Sequence, residues 1–244
     1  MPLFSIITIN RNNARGLLKT IGSVVEQSCT DFEYIVIDGA STDNSPDIIK
    51  GAENKIKYWV SEMDNGIYDA MNKGISKAKG KYLLFLNSGD CLVNNNVLKK
   101  VAGSNPAAQL ISGNILFKEA NGNIRQDTTP QKLTKFYLLR SMLYHPVTFV
   151  DAELFKSLGY YDAQYKIVAD YEFFLRCLSA RSISYTHLNF DITFFDNSGV
   201  SAVPETRKLL IAERLNVQKK YFNPFIVMMY RIYLFAQTVT KNKK

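Results

Sequence analysis

The first third of the chain alternates strand-like runs with helix-like segments, and this alternation restricts the fold more than any other feature. Phe4-Ser5-Ile6-Ile7-Thr8-Ile9 reads as a buried strand. Ala14 to Gln27 follows, with Leu17, Leu18, Ile21, Val24 and Val25 at helical spacing. Tyr34 to Asp38 predicts a second strand, Asn44 to Gly51 a short helix with Pro46 near its first turn, and Tyr58 to Ser61 a third strand. Gly66 to Ala78 predicts a third helix and Tyr82 to Asn87 a fourth strand. That order implies right-handed crossovers and a mostly parallel sheet flanked by helices, an α/β architecture. Ligands of such sheets sit beyond the carboxyl ends of the strands. The residues there are Thr8-Ile9-Asn10, Asp38 to Asp43, Glu62 to Gly66, and Asn87-Ser88-Gly89-Asp90. Each stretch is polar, and all but the first contain acids.

The second half alternates less regularly. Ala108 to Lys118 and Ile124 to Asp127 predict a hairpin turning at Asn121-Gly122-Asn123. Gln131 to Leu143, Asp151 to Leu158 and Val168 to Ala180 read as helices, Val147 to Val150 as a short strand, and Ile183 to Leu188 and Ile192 to Phe195 as late strands. From Pro204 onward the chain reads as helix, broken at Asn223-Pro224.

With 244 residues and 46% apolar composition, the chain can bury a real core. Its net charge of +8 is unevenly spread: Glu205 to Lys244 carries nine Lys or Arg against two Glu, a net of +7. The other 204 residues hold 21 basic and 20 acidic groups, so the basic character belongs to the tail. The tail also contains the apolar run Pro224 to Ala236, too short for a span and interrupted by Arg231. A basic, apolar tail points to an anionic membrane surface rather than nucleic acid, the alternatives being a solvated helix or one packed on the body. No secretory leader is visible, and Cys29, Cys91 and Cys177 lack metal or redox spacing. A reducing, cytoplasmic setting is the expectation, with attachment to the inner face of the membrane through the tail.

Chemistry-bearing residues each carry two readings. Asp38 can accept hydrogen bonds from a base or ribose, or it can belong to a plain turn in which Asp43 caps the next helix. Asp90 can hold a hard divalent cation that bridges two phosphates, or it can begin a helix. Lys73 can meet a phosphate, or pair with Asp69 one helical turn away. Asp170, among apolar neighbours in a helix's first turn, suits a general base; an N-cap or an ion pair with Arg176 is the alternative. His145 can contact donor phosphate or acceptor, or be structural, and His187 is expected in the core. The glycine fingerprints of dinucleotide-binding and P-loop proteins are missing.

As a set, Ser5 to Asn10, Asp38 to Asp43, Glu62 to Gly74 and Gly80 to Asp90 resemble a family-2 glycosyltransferase with the GT-A fold, close to bacterial polysaccharide-building members. The resemblance covers residues 3–200 and is densest from 3 to 92. It implies an inverting enzyme that moves a sugar from a nucleotide-sugar donor, UDP by default with GDP open, to a glycan or lipid-linked acceptor. It assigns donor contacts to Thr8, Asn10, Asp38, Ser41, Asp43, Glu62, Asp64, Asn72, Lys73, Asn87, Ser88 and His145. Asp90 stands at the last acid of the family's D-x-D element and would bind Mn²⁺ or Mg²⁺, while Ser88 and Gly89 occupy positions where further acids are often found. Asp170 matches the catalytic base, with Ala169 in place of its acidic neighbour. Met71 stands where many members have Arg. The implied organisation is a catalytic domain over 1–203, divided into a nucleotide-binding half (1–100) and a smaller acceptor-side half (101–203), then a helical tail over 204–244. Two other classes fit parts of the pattern: a non-catalytic nucleotide-sugar-binding protein and a sugar nucleotidyltransferase.

Overall fold

In β1 (Phe4–Asn10) every residue is buried, and its side chains alternate between two cores. The computed structural model describes residues 1–118, 122–180, 182–195 and 204–241; Asn121 of the expected hairpin turn, and residues 196–203, lie outside it. Helix α1 (Ala14–Val25) leads to β2 (Phe32–Asp38), α2 (Ser45–Gly51) to β3 (Tyr58–Ser61), and α3 (Ile67–Lys77) to β4 (Tyr82–Phe85). These four strands are parallel, in the order β3-β2-β1-β4. The chain therefore reverses direction across the sheet between β1 and β4, and the carboxyl ends of those two strands flank a natural crevice.

Beyond β4 the sheet becomes mixed. The later elements are β5 (Cys91–Leu92), α4 (Val97–Gly103), β6 (Leu110–Lys118), β7 (Ile124–Asp127), α5 (Lys135–Arg140), β8 (Thr148–Asp151), α6 (Ala152–Leu158), α7 (Ala169–Ala180), β9 (Tyr185–Phe195), α8 (Pro204–Tyr221) and α9 (Pro224–Lys241). Strand β8 runs antiparallel to β4, β6 antiparallel to β8, β9 parallel to β6, and β5 antiparallel to β9, while β7 pairs with the outer half of β6. The two late strands expected from the sequence form one continuous β9, with an irregularity in register around Asn114. The expected helix over 131–143 shrinks to α5, whose start is fixed by the Thr134 hydroxyl accepting the Tyr137 N–H.

One core lies between the sheet and α1, α2 and α4. The other lies between the sheet and α3, α5, α6, α7 and α8. Helix α3 lies close on β1 because Gly74 has no side chain: a Cβ there would come 2.5 Å from Ile7 Cγ2. Helix α7 is held by an aromatic cluster in which Phe155 and Phe173 stack at 4.4 Å, with Tyr161 edge-on to both.

The basic tail does not begin as a free segment. Val217 of α8 is fully buried, Arg214 donates to the Ser141 carbonyl at 2.7 Å, and Gln218 donates to the Leu139 carbonyl. Helix α9, by contrast, exposes a run of apolar side chains: Phe225, Ile226, Met228, Met229, Ile232, Tyr233 and Leu234 are each between 43% and 63% exposed.

Candidate active site

The carboxyl ends of β1 and β2 meet in a cluster centred on Asp38. Its fully buried carboxylate accepts four hydrogen bonds: from Asn10 Nδ2 (2.7 Å), Ser61 Oγ (2.6 Å), and both Ser41 Oγ (2.6 Å) and Ser41 N (2.9 Å). These four bonds fix the carboxylate and order the loops around it. Asn12 and Ala40 both adopt left-handed backbone, at φ 50° and 52°, and these turns lock the two loops together. Asn12 N donates to Ser41 Oγ, and Asn12 Oδ1 accepts Thr42 N, each at 2.8 Å. Asp43 caps twice, accepting from Ala14 N at 2.9 Å and Ser45 N at 3.0 Å.

Thr8 is a correction. Its side chain is fully buried and accepts the Tyr34 hydroxyl at 3.0 Å, two residues below the strand end, so it faces the core and not the rim.

At the end of β3, Asp64 accepts Gly66 N at 3.0 Å and leans over Gly39, where a Cβ would lie 2.3 Å from Asp64 Oδ2. Glu62 pairs with Lys73 at 2.8 Å, and Lys73 also donates to the Met63 carbonyl; Asp69 is farther, at 3.9 Å. The Glu62 carboxylate raises the Lys73 ammonium above its ordinary pKa. Asp69 instead accepts Asn65 N. Asn72 is the second correction: both ends of its amide are used on the backbone of Tyr161, at 2.8 and 3.0 Å, so it tethers the loop before α7 to α3.

The end of β4 joins these loops to α7. Ser88 N donates to the Ile9 carbonyl, and Asn13 Nδ2 donates to the Ser88 carbonyl at 2.9 Å. Gly89, at φ 111°, donates its N–H to Thr20 Oγ1. Asp90 is 2% exposed and precedes β5, so it does not open a helix. His145 stands between Asn87 and Asp170: Nε2 lies 3.3 Å from Asn87 Nδ2, and Nδ1 lies 3.2 Å from Asp170 Oδ2. Asp170 sits in the first turn of α7, where the helix dipole favours its charge. Its Oδ1 accepts the Tyr68 hydroxyl and its neighbour's N–H, both at 2.9 Å. Burial first, then the Asp170 charge, raises the Tyr68 phenol well above its ordinary pKa, so it stays a donor.

Arg176 does not pair with Asp170. It binds Glu172 at 2.8 Å and the carbonyls of Leu158, Gly159 and Tyr160. Glu172, 1% exposed, also takes Lys220 at 3.0 Å and the Tyr221 hydroxyl from α8. Glu213 of α8 accepts Lys166 N at 2.8 Å and Ile167 N at 2.9 Å, just ahead of Asp170. Tyr68 and Glu213 carried no signal in the sequence, because their partners lie tens of residues away; Asn13 caps α1 locally through Gly16 N, but its bond to Ser88 spans 75 residues. His187 is half-buried on β9 and bonds to Thr129.

Among the described residues no three His, Cys, Asp or Glu side chains converge on one point. One buried carboxylate, Asp90, fits the way a hard divalent cation is shared between a protein acid, water and substrate phosphates.

The family model described as Glycosyl transferase family 2 matches residues 5–153. A PGL/p-HBAD biosynthesis glycosyltransferase of Mycobacterium tuberculosis is 30% identical over 204 residues, covering 81% of this chain and 78% of the relative. The structure of TarS 1-349 from S. aureus in complex with UDP-GlcNAc aligns with a TM-score of 0.66 at 20% identity, over 88% of this chain and 66% of that one. Mannosyltransferase PcManGT from Pyrobaculum calidifontis, in complex with GDP-Man and Mn²⁺, aligns with a TM-score of 0.62 at 14% identity, over 97% of this chain and 81% of that one. Both structural likenesses concern the fold, the one that the family resemblance implies.

Proposed function

The chain belongs to glycosyltransferase family 2, and from that premise we propose that it transfers a sugar from a nucleotide-sugar donor to a hydroxyl of a glycan or lipid-linked acceptor, inverting the anomeric carbon. One observation supports the reading above others. The Asp38 cluster, the Asn87 to Asp90 turn and Asp170 are tied together through Asn10, Asn13, Ser88 and His145, which supports a single site for donor and base.

In this proposal Asn10, Ser41 and Asp64 meet the nucleoside, with Asp38 and Asp43 fixing their loops and Glu62 beside them. Asn87, Ser88 and Lys73 lie toward the diphosphate. A divalent cation, Mn²⁺ or Mg²⁺, held jointly by Asp90 and the diphosphate would neutralise charge building on the leaving group. Asp170 takes the acceptor proton as the acceptor oxygen bonds to the anomeric carbon. The bond from that carbon to the diphosphate breaks, and its electron pair leaves with the nucleoside diphosphate. UDP is the favoured carrier, with GDP the other candidate; the ligands of TarS and PcManGT motivate both.

The acceptor is proposed to belong to bacterial surface polysaccharide synthesis and to reach the enzyme at the cytoplasmic face of the cell membrane. The exposed apolar side chains of α9, beside the basic residues of the tail, support an interfacial position there. Among the described residues no helix is long and apolar enough to cross a membrane.

A thermal-shift panel of UDP- and GDP-sugars with and without Mn²⁺ tests the donor reading. Metal-dependent stabilisation by one sugar nucleotide is expected; no response to any would contradict it. Flotation on anionic vesicles tests the membrane reading. It should compare the full chain with one ending after Phe222, because α8 is part of the body; equal flotation of both would contradict it.

A further inference from the structure

We propose that His145 acts on the base and not on the donor: it is a positioning residue that holds Asp170 through Nδ1–H, in a tautomer dictated by Asn87. The inference rests on the reading of Asp170 as base. It departs from the sequence expectation that His145 touches phosphate or acceptor.

Both ring nitrogens are already engaged. With the Asn87 amide turned so that Nδ2 faces Nε2, at 3.3 Å, Nε2 presents its lone pair. The ring proton then resides on Nδ1, which faces Asp170 Oδ2 at 3.2 Å. Reaching a diphosphate would break one of these contacts. The backbone around the ring is firmly held. His145 opens a single 3-10 turn, the Pro146 carbonyl accepts Thr193 Oγ1 at 2.6 Å, and Thr148 Oγ1 donates to the Tyr144 carbonyl at 2.7 Å. The ring therefore spans from the end of β4 to the start of α7 with little freedom; the His145 side chain is 16% exposed and that of Asp170 4%.

A count of lone pairs shows what this contact achieves. Each carboxylate oxygen offers two. Oδ1 accepts Tyr171 N and shares the single Tyr68 O–H with the Ile167 carbonyl, at 2.9 and 2.7 Å respectively. On Oδ2 His145 takes one. The second lone pair of Oδ2 is the one left for the acceptor hydroxyl. By fixing the other, His145 sets the plane of the carboxylate and hence the direction from which a proton can be accepted. Asn87 extends this control back to the strand end that carries Ser88 and Asp90, so the turn that meets the diphosphate also orients the base.

The test uses the full chain and two readouts. In His145→Ala, kcat should fall about 10²-fold, the scale expected when a reacting group is misplaced by an ångström, while nucleotide affinity and donor KM stay within about twofold. His145→Asn puts an amide N–H near the place of Nδ1–H and should recover much of the lost kcat. Independently of activity, ¹⁵N NMR of the nucleotide-free protein reads the tautomer directly. The chain has only two histidines, and His187→Gln assigns the spectrum. His145 should carry its proton on Nδ1, and Asn87→Asp should draw it to Nε2. Unchanged kcat with raised donor KM in both His145 variants, or a proton on Nε2 in the unmodified chain, would overturn the proposal. The two levels fail separately. If Asp170→Asn still transfers sugar, the base assignment fails; if only the His145 readouts disagree, the base stands and its positioning partner is wrong.

Discussion

Replacing Glu213 by Ala tests whether α8 belongs to the catalytic body. Glu213 is 8% exposed, and each of its carboxylate oxygens holds one backbone N–H of the segment leading into α7, Lys166 at 2.8 Å and Ile167 at 2.9 Å. A hydrogen bond to a charged group contributes about 1.5–3 kcal/mol net, and the lower end applies because water can reach the Lys166 N–H once the carboxylate is gone. Two such bonds amount to roughly 3 kcal/mol. For a chain of this size about 2–4 °C of melting temperature corresponds to each kcal/mol, so Glu213→Ala should melt roughly 6–12 °C lower. The same segment carries the Ile167 carbonyl that Tyr68 also bonds, so loosening it should reach Asp170. Turnover should therefore fall with donor KM nearly unchanged. Glu213→Gln, which keeps one acceptor oxygen and opposes the second N–H with its own, should lie between. Differential scanning fluorimetry with steady-state kinetics measures both quantities. A melting temperature lowered by less than about 2 °C, together with wild-type kcat, would refute the claim that α8 supports the base.

Three further outcomes follow from the geometry. Thr8→Val removes the acceptor of the buried Tyr34 hydroxyl and should destabilise by about 1–3 kcal/mol in urea unfolding, with nucleotide affinity by calorimetry unchanged; weaker nucleotide binding at unchanged stability would return Thr8 to the rim. Gly39→Ala puts a methyl 2.3 Å from Asp64 Oδ2, a movable side-chain end, so stability should change by less than about 1 kcal/mol. Nucleotide affinity should nonetheless fall about tenfold as Asp64 is displaced; unaltered affinity would remove Asp64 from the donor site. Burial tends to raise the Glu172 carboxyl, but the Tyr221 hydroxyl, Lys220 and Arg176 outweigh it and leave its pKa below the ordinary value. Its folded pKa is depressed, so its contribution is complete above the ordinary carboxyl range of about 4.3 and is lost as pH falls through the folded value. The stability gap between the wild-type chain and Glu172→Gln should accordingly shrink on acidification; a gap that widened would reverse the sign argued here.

The parallel half of the fold was legible because its signals are local. Strands buried on both faces read as apolar runs, and α1 and α3 show helical periodicity. Strand β5 and helix α4 were not legible. A two-residue strand exists only through its pairing with Phe194 and Thr193, and α4 is a seven-residue helix. The docking of α8 was hidden for a different reason: much of its contact is polar, through Glu213, Arg214 and Gln218, and a polar face gives no hydrophobic stripe. At the site, Asp38, Asp90 and Asp170 could be read as acids at strand and helix ends. What each acid does could not, since the partners of Asp170 stand 25 and 102 residues away and Asn72 meets Tyr161 across 89. Thr8 misled because closeness in sequence to a strand end was taken for closeness in space. Two residues along a strand are about 7 Å, enough to move a side chain from rim to core.

The most direct measurement is a single-turnover assay of Asp170→Asn with saturating sugar nucleotide and acceptor. The amide is nearly isosteric with the carboxylate but cannot take the acceptor proton. The variant should fold, bind nucleotide as tightly as the unmodified chain and transfer no sugar. Transfer at a rate near that of the unmodified chain would contradict the role of Asp170 as base.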